Sequence, residues 1–196
     1  MAIGTNYKVK TRSKIPLLVG ALLLTMAITG GIFAFTFTNA SSTISVTSGG
    51  ADFAAVSENV ADPLTWTAQG ALKGTIGAGN LFDIDTAASG YAGDLTATVT
   101  MANADQLTEV YRVLVLKLEV YDSDDNLVDI NGDNVADAKD FALLTLSSAE
   151  ANLFIKGQAT LFTVKVASGF YVANIFGGGW TGGFEDPQLF AEVFQR

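Results

Sequence analysis

The chain has no cysteine and no histidine among its 196 residues, and only three prolines. Without cysteine no disulfide can staple the fold, so stability must come from packing, hydrogen bonds, bound ions or assembly. Without histidine, serine–histidine triads, cysteine–histidine pairs and HExxH zinc sites are excluded together. Basic side chains are also scarce, 11 against 20 acidic, and four of them (Lys8, Lys10, Arg12 and Lys14) precede residue 15. From Ser41 onward the chain carries 7 basic and 20 acidic side chains, a formal charge of −13. That balance argues against binding nucleic acid or anionic lipid through charge, and it favours cations.

What the chain does have is one long hydrophobic run. Ile15 to Phe37 contains 23 residues without a charge, after the basic cluster and before the small polar stretch TNASSTIS. A basic start, an apolar core and a small-residue exit are the three parts of an export signal. The run is also long enough to cross a bilayer. Two readings follow: a signal cleaved after Ala40 (with Ala34 as a second position), or a retained anchor. A type IV pilin leader fits poorly, because Gly4 leads into Thr-Asn-Tyr-Lys-Val-Lys and no acid precedes Ile15. In either reading the positive charges stay inside and residues from about 41 onward lie outside the cytoplasm. The expected location is secreted, extracellular or at the cell surface, with membrane contact only through residues 1–40.

The remainder is rich in Val, Thr, Ile, Phe, Ala and Gly, the composition of a β-rich domain. Ser42–Thr47 alternates polar and apolar and reads as a strand, with Gly49-Gly50 as a hinge. Asp94–Met101 and Val110–Tyr121 alternate most clearly. The first places Leu95, Ala97, Val99 and Met101 on one face, and the second Leu114, Leu116, Leu118 and Val120. Weaker strands are expected within Ala51–Val60, at Pro63–Thr67 and at Leu81–Ile84. Later ones are expected at Leu153–Ile155, Leu161–Ala167, Phe170–Phe176 and Gln188–Gln195. Gly70–Gly79 reads as loop. Asn103–Gln106 reads as a connection or helical turn. Phe141–Leu146 is too short for periodicity to separate helix from strand. The expected organisation is all-β: residues 1–40 as signal or anchor, 41–50 as an N-terminal strand and hinge, and 51–196 as one β-sandwich or jelly roll.

The sharpest chemical motif is Asp129 to Asp140, DINGDNVADAKD. Oxygen side chains fall at loop positions 1, 3, 5, 9 and 12, namely Asp129, Asn131, Asp133, Asp137 and Asp140. The carbonyl of Val135 is available at position 7. This is the spacing of an EF-hand Ca²⁺ loop. Position 6, usually glycine, is Asn134, which tolerates the left-handed conformation. Position 12 is Asp140 in place of glutamate. Asp122, Asp124 and Asp125 read as a solvated hairpin tip. Over about 18 residues the stretch DINGDNVADAKDFALLTL resembles the calcium loop and following helix of dockerin-type modules. There is no second copy, so the resemblance covers the loop alone.

No catalytic set emerges. Asp83 and Asp85 would share one face of a strand, and two carboxylates from one segment do not identify a glycosidase. GTIGAG at Gly74–Gly79 lacks the GK[ST] ending of a phosphate loop. Trp66, Tyr91, Tyr171, Trp180 and Phe184 could form a sugar platform or simply core.

The exit ITGGIFAF, with Gly30, Gly31, Phe33, Ala34 and Phe35, is followed at once by an alternating strand and an acidic domain of sandwich size. In this layout the chain resembles the TasA/camelysin group of exported proteins, and, in layout, archaeal bundling pili and cannula subunits. The resemblance implies a jelly-roll-like subunit of an extracellular filament, in which the N-terminal strand of one copy completes the sheet of the next. On that basis Thr43, Ile44, Ser45, Val46 and Thr47 are the expected assembly residues, and the partner is a second copy of the chain. The protease activity attributed to camelysins is not expected, because histidine and HExxH are absent. The competing expectation is a monomeric Ca²⁺-stabilised adhesin or carbohydrate-binding domain.

Overall fold

The computed structural model describes residues 44–48, 53–59, 61–62, 66–67, 72–174, 176 and 187–196, all within one unit, Thr36–Arg196. The hydrophobic run, the cleavage positions, Thr43, Trp180 and Phe184 lie outside the described residues. In chain order the described elements are β1 (Ile44–Ser48), β2 (Ala55–Glu58), β3 (Trp66–Thr67), β4 (Lys73–Ile76), β5 (Gly79–Asp85), β6 (Leu95–Met101), α1 (Ala104–Val110), β7 (Tyr111–Tyr121), β8 (Ala142–Thr145), β9 (Glu150–Ile155), β10 (Leu161–Ala173) and β11 (Leu189–Gln195).

Alternation along each strand builds two sheets with one shared core. In β6, Leu95, Ala97, Val99 and Met101 are buried while the threonines between them face outward. In β7, Leu114, Leu116, Leu118 and Val120 are buried. They join Phe162, Val164 and Val166 of β10 and Leu189, Ala191 and Val193 of β11 in one hydrophobic cluster. Burying each such side chain stabilises the fold by about 1.5–3 kcal/mol relative to exposure. The first sheet has the order β1-β11-β6-β9. Its pairs are antiparallel except β1 with β11, which is parallel. The second sheet is organised by the 13-residue β10. On one side β5 and β4 lie end to end along it, with β2 outside β5 and β3 outside β4. On its other side lies β7, followed by β8. The result is an all-β sandwich, with one short helix among the described residues.

Several elements depart from the sequence expectation, each for a non-local reason. The stretch expected as a glycine loop contains β4 and the start of β5. A side chain at Gly74 would overlap the Tyr171 ring, so this glycine admits an aromatic on the neighbouring strand instead of making a turn. The two strands expected at Leu161–Ala167 and Phe170–Phe176 are one bent strand, β10, with a register shift between Val166 and Ser168. Phe141–Leu146 resolves as the edge strand β8, with Leu144 buried opposite Leu116. The helix that follows the loop in dockerin-type modules is therefore replaced here by a strand. The connection at Asn103 extends into α1, which buries Leu107 and Val110. The Asn103 side chain accepts the Gln188 N–H at 2.8 Å, tying the start of α1 to the approach of β11.

Candidate functional site

The acidic loop hangs between β7 and β8 and is closed by its own carboxylates. Asp129 Oδ1 accepts the N–H groups of Asn131 (3.1 Å) and Gly132 (2.7 Å), and its Oδ2 accepts that of Asn134 (2.6 Å). Asp140 Oδ1 accepts the N–H of Ile130 (3.0 Å) and Oδ2 that of Asp137 (2.7 Å), so one side chain joins both ends of the loop. Asn131, Asp133 and Asp137 each accept the N–H two residues ahead, the Asx-turn pattern that lets short acids and amides mimic a backbone turn. Gly132 (φ 83°) and Asn134 (φ 67°) take the left-handed conformations that curl the chain. The Ile130 carbonyl accepts the Phe154 N–H at 3.3 Å, and Lys156 Nζ donates to Asn134 Oδ1 at 2.6 Å, so the loop is pinned against β9 and its C-terminal extension.

The electrostatics follow from that geometry. Partial burial pushes the Asp129 carboxyl upward, but the N–H groups of Gly132, Asn134, Asn131 and Asp133 outweigh it and hold the group below its ordinary value. The Lys139 N–H, together with the Lys139 ammonium 3.3 Å from Oδ2, holds Asp137 down against slight desolvation. Asp140 is fully buried. Among the described residues no Lys or Arg nitrogen lies within 4.0 Å of Asp129 or Asp140.

The donor chemistry suits a hard cation: carboxylate and amide oxygens of Asp129, Asn131, Asp133, Asp137 and Asp140, with the carbonyl of the exposed Val135. Among the described residues no group of three or more His, Cys, Asp or Glu side chains is gathered around a metal position. As folded, the acids turn onto the loop's own N–H groups.

The other singled-out residues have local partners. Asp83 accepts from Asn59 Nδ2 (2.9 Å) and Thr163 Oγ1 (2.8 Å), and Asp85 accepts the Ala87 N–H (2.9 Å). Asp122 holds the hairpin tip through Asp124 and Asn126, whose hydrogen bonds lower its pKa. Asp125 pairs with Lys165 at 2.7 Å. Tyr91 stacks edge-on against Phe53, and Tyr171, which is buried, against Tyr111. Tyr171 is a core residue, whereas Tyr91 is half-buried.

Of the residues expected to serve assembly, Ile44–Thr47 lie in β1 at the outer edge of the first sheet. Its register sets Ile44 opposite Leu189, Val46 opposite Ala191 and Ser48 opposite Val193, all three partners inward-facing and buried. Ser45 and Thr47 lie opposite Phe190 and Glu192.

Sequence reasoning missed one feature. Strand β7 outruns β8, which pairs only with Val115–Leu118. A groove of about 550 Å³ opens there, lined in part by Thr108, Arg112, Val113, Leu146 and Asn174. Only the relative lengths of two paired strands create it, and no local signal carries that. Compared with known proteins, the chain matches no family model and no curated protein sequence.

Proposed function

We propose that this chain is an exported structural subunit of an extracellular filament, not an enzyme. Copies join when the N-terminal strand of one completes the first sheet of the next in a jelly-roll-like arrangement, and Ca²⁺ at the acidic loop stabilises the subunit. The single observation that carries the reading is the place of β1. The alternating segment that directly follows the hydrophobic run is an outermost strand, held by main-chain pairing to β11. Ile44 and Val46 stand in register with buried residues. An edge strand joined to its domain through Gly49-Gly50 can be replaced by the same strand of a neighbour at little net cost, because identical main-chain hydrogen bonds reform. The contact is heterologous and propagates when it does not close.

For the loop, the support is ligand spacing together with the fully buried carboxylate of Asp140. Asp129, Asn131, Asp133, Asp137, Asp140 and the Val135 carbonyl would hold the ion, which would supply positive charge to the most acidic part of the chain. The hydrogen-bonded Asx turns hold the loop curled before any ion arrives.

The reading is tested by Ile44→Asp with Val46→Asp in the processed protein. Filaments should disappear while circular dichroism still reports a folded sheet. Unchanged filaments from this variant would mean that assembly uses another surface. N-terminal sequencing of surface-extracted protein should begin near Ser41, and an intact Met1 or Ala2 would indicate a retained anchor.

A further inference from the structure

The seven cations beyond residue 40 are not distributed evenly. Lys117, Lys139 and Lys165 are paired with Glu119, Asp137 and Asp125. Lys156 donates to Asn134, and Arg196 lies over the Phe154 ring at 4.6 Å. Lys73 and Arg112 remain, with no carboxylate within 4.0 Å among the described residues. Both flank the same part of the second sheet's outer face. Lys73 lies across from Val172, which lies across from Val113; the register shift between Val172 and Ala173 makes the exposed Arg112 an extra residue beside Val113, where the alternation of β7 is interrupted. Two residues along β10 stands Phe170, 47% exposed, opposite Val115. This half of the face is apolar with two uncompensated positive charges.

The outer face of the first sheet has the opposite character. Its rows run Glu150–Thr100–Phe190, Asn152–Thr98–Glu192 and Phe154–Thr96–Phe194. Glu150 and Glu192 have no cation within 4.0 Å among the described residues, and Phe194 is 43% exposed. Arg196 sits at the far end of this face, over Phe154. The spacings agree as well as the signs. Two strand steps and one residue separate the backbones of Lys73 and Arg112 by about 10 Å, and two strand steps and two residues separate Glu150 and Glu192 by about 12 Å.

We propose that these two faces dock on one another between copies: the Lys73–Phe170–Arg112 face of one subunit lies on the Glu150–Phe190–Glu192 face of the next. Because the surfaces lie on different sheets and face outward, the contact is heterologous and repeats side by side. Complementary charge selects the orientation and the apolar rings supply burial. The contact goes beyond strand donation and uses none of its residues.

Charge reversal tests it in the whole chain by sedimentation velocity. Wild type should associate more strongly at low ionic strength, and in the Ile44→Asp, Val46→Asp background, where strand donation is blocked, the remaining association should dissociate as salt rises. K73E/R112E places negative charge on both faces and E150K/E192K positive charge on both, so each should associate at least about tenfold more weakly. An equimolar mixture of the two should associate again, since each then meets an opposite face. The milder pair Lys73→Gln and Glu192→Gln should each weaken association if a reversal variant fails to fold. A wild type that stays monomeric, a reversal variant that associates as wild type does, or folded variants whose mixture stays dissociated would overturn the proposal. The Ile44→Asp, Val46→Asp chain should keep this salt-sensitive association, so loss of strand donation and loss of face docking are read separately.

Discussion

The acidic loop and the N-terminal strand are held in opposite ways. The loop closes on itself: the hydrogen bonds that Asp129 and Asp140 accept span at most ten residues. Strand β1 is held by a partner about 145 positions later in the chain, Ile44 against Leu189. A closure of this kind draws mainly on residues close in sequence, whereas a terminal strand paired at long range can be exchanged for the same strand of another copy. The first region suits an ion-responsive element of the subunit and the second suits an assembly element.

The contrast breaks most sharply at Asp140. Asp140→Ala leaves two N–H groups without their acceptor, the buried one of the core residue Ile130 and the part-buried one of Asp137. Each orphaned buried donor costs about 1–3 kcal/mol, so urea denaturation should show a loss of about 2–5 kcal/mol even without Ca²⁺. A change below about 1 kcal/mol would mean that the loop is not closed by this side chain. Next, Ca²⁺ at a hundredfold excess over Kd should add about 2.7 kcal/mol, which for a domain of this size is a rise in Tm of about 5–11 °C. The double variant Asp129→Ala, Asp133→Ala should abolish that rise, and a wild-type Tm indifferent to millimolar Ca²⁺ would reduce the loop to a turn.

The smallest effect is on pH. Asp129 and Asp137 are held below the ordinary carboxylate value of about 3.9. Their contribution is fully present above that value and is lost as pH falls through the lowered folded values. The urea midpoint should hold from neutral pH to about pH 5 and decline below about pH 4. Asp129→Asn should shallow that decline, because the variant has one fewer proton to take up on unfolding. Strand β1 carries no titratable group, so its pairing should not add to the slope.

The same contrast marks what the sequence discloses. β6 and β7 are legible because period-two alternation is local, and Leu95, Ala97, Val99, Leu116 and Leu118 are buried as that alternation requires. The curl of the acidic loop is legible because Asx residues bond to N–H groups two positions away, and Asn134 takes the positive φ that its loop position demands. β4 is hidden because Gly74 looks like a turn former until Tyr171 lies across from it. The parallel pairing of β1 with β11 is invisible for the same reason, since no local pattern names a partner so far along the chain. The clustering of Lys73 and Arg112 on one face likewise exists only after β4, β10 and β7 are placed side by side.

Electron microscopy of the processed protein beside a form lacking residues 41–48 tests the central claim most directly. The account predicts filaments from the first, and from the second folded subunits that form none and bind a synthetic peptide of residues 41–48 on the exposed β11 edge. The same filaments from the truncated form, or none from the intact protein at any Ca²⁺ concentration, would contradict it.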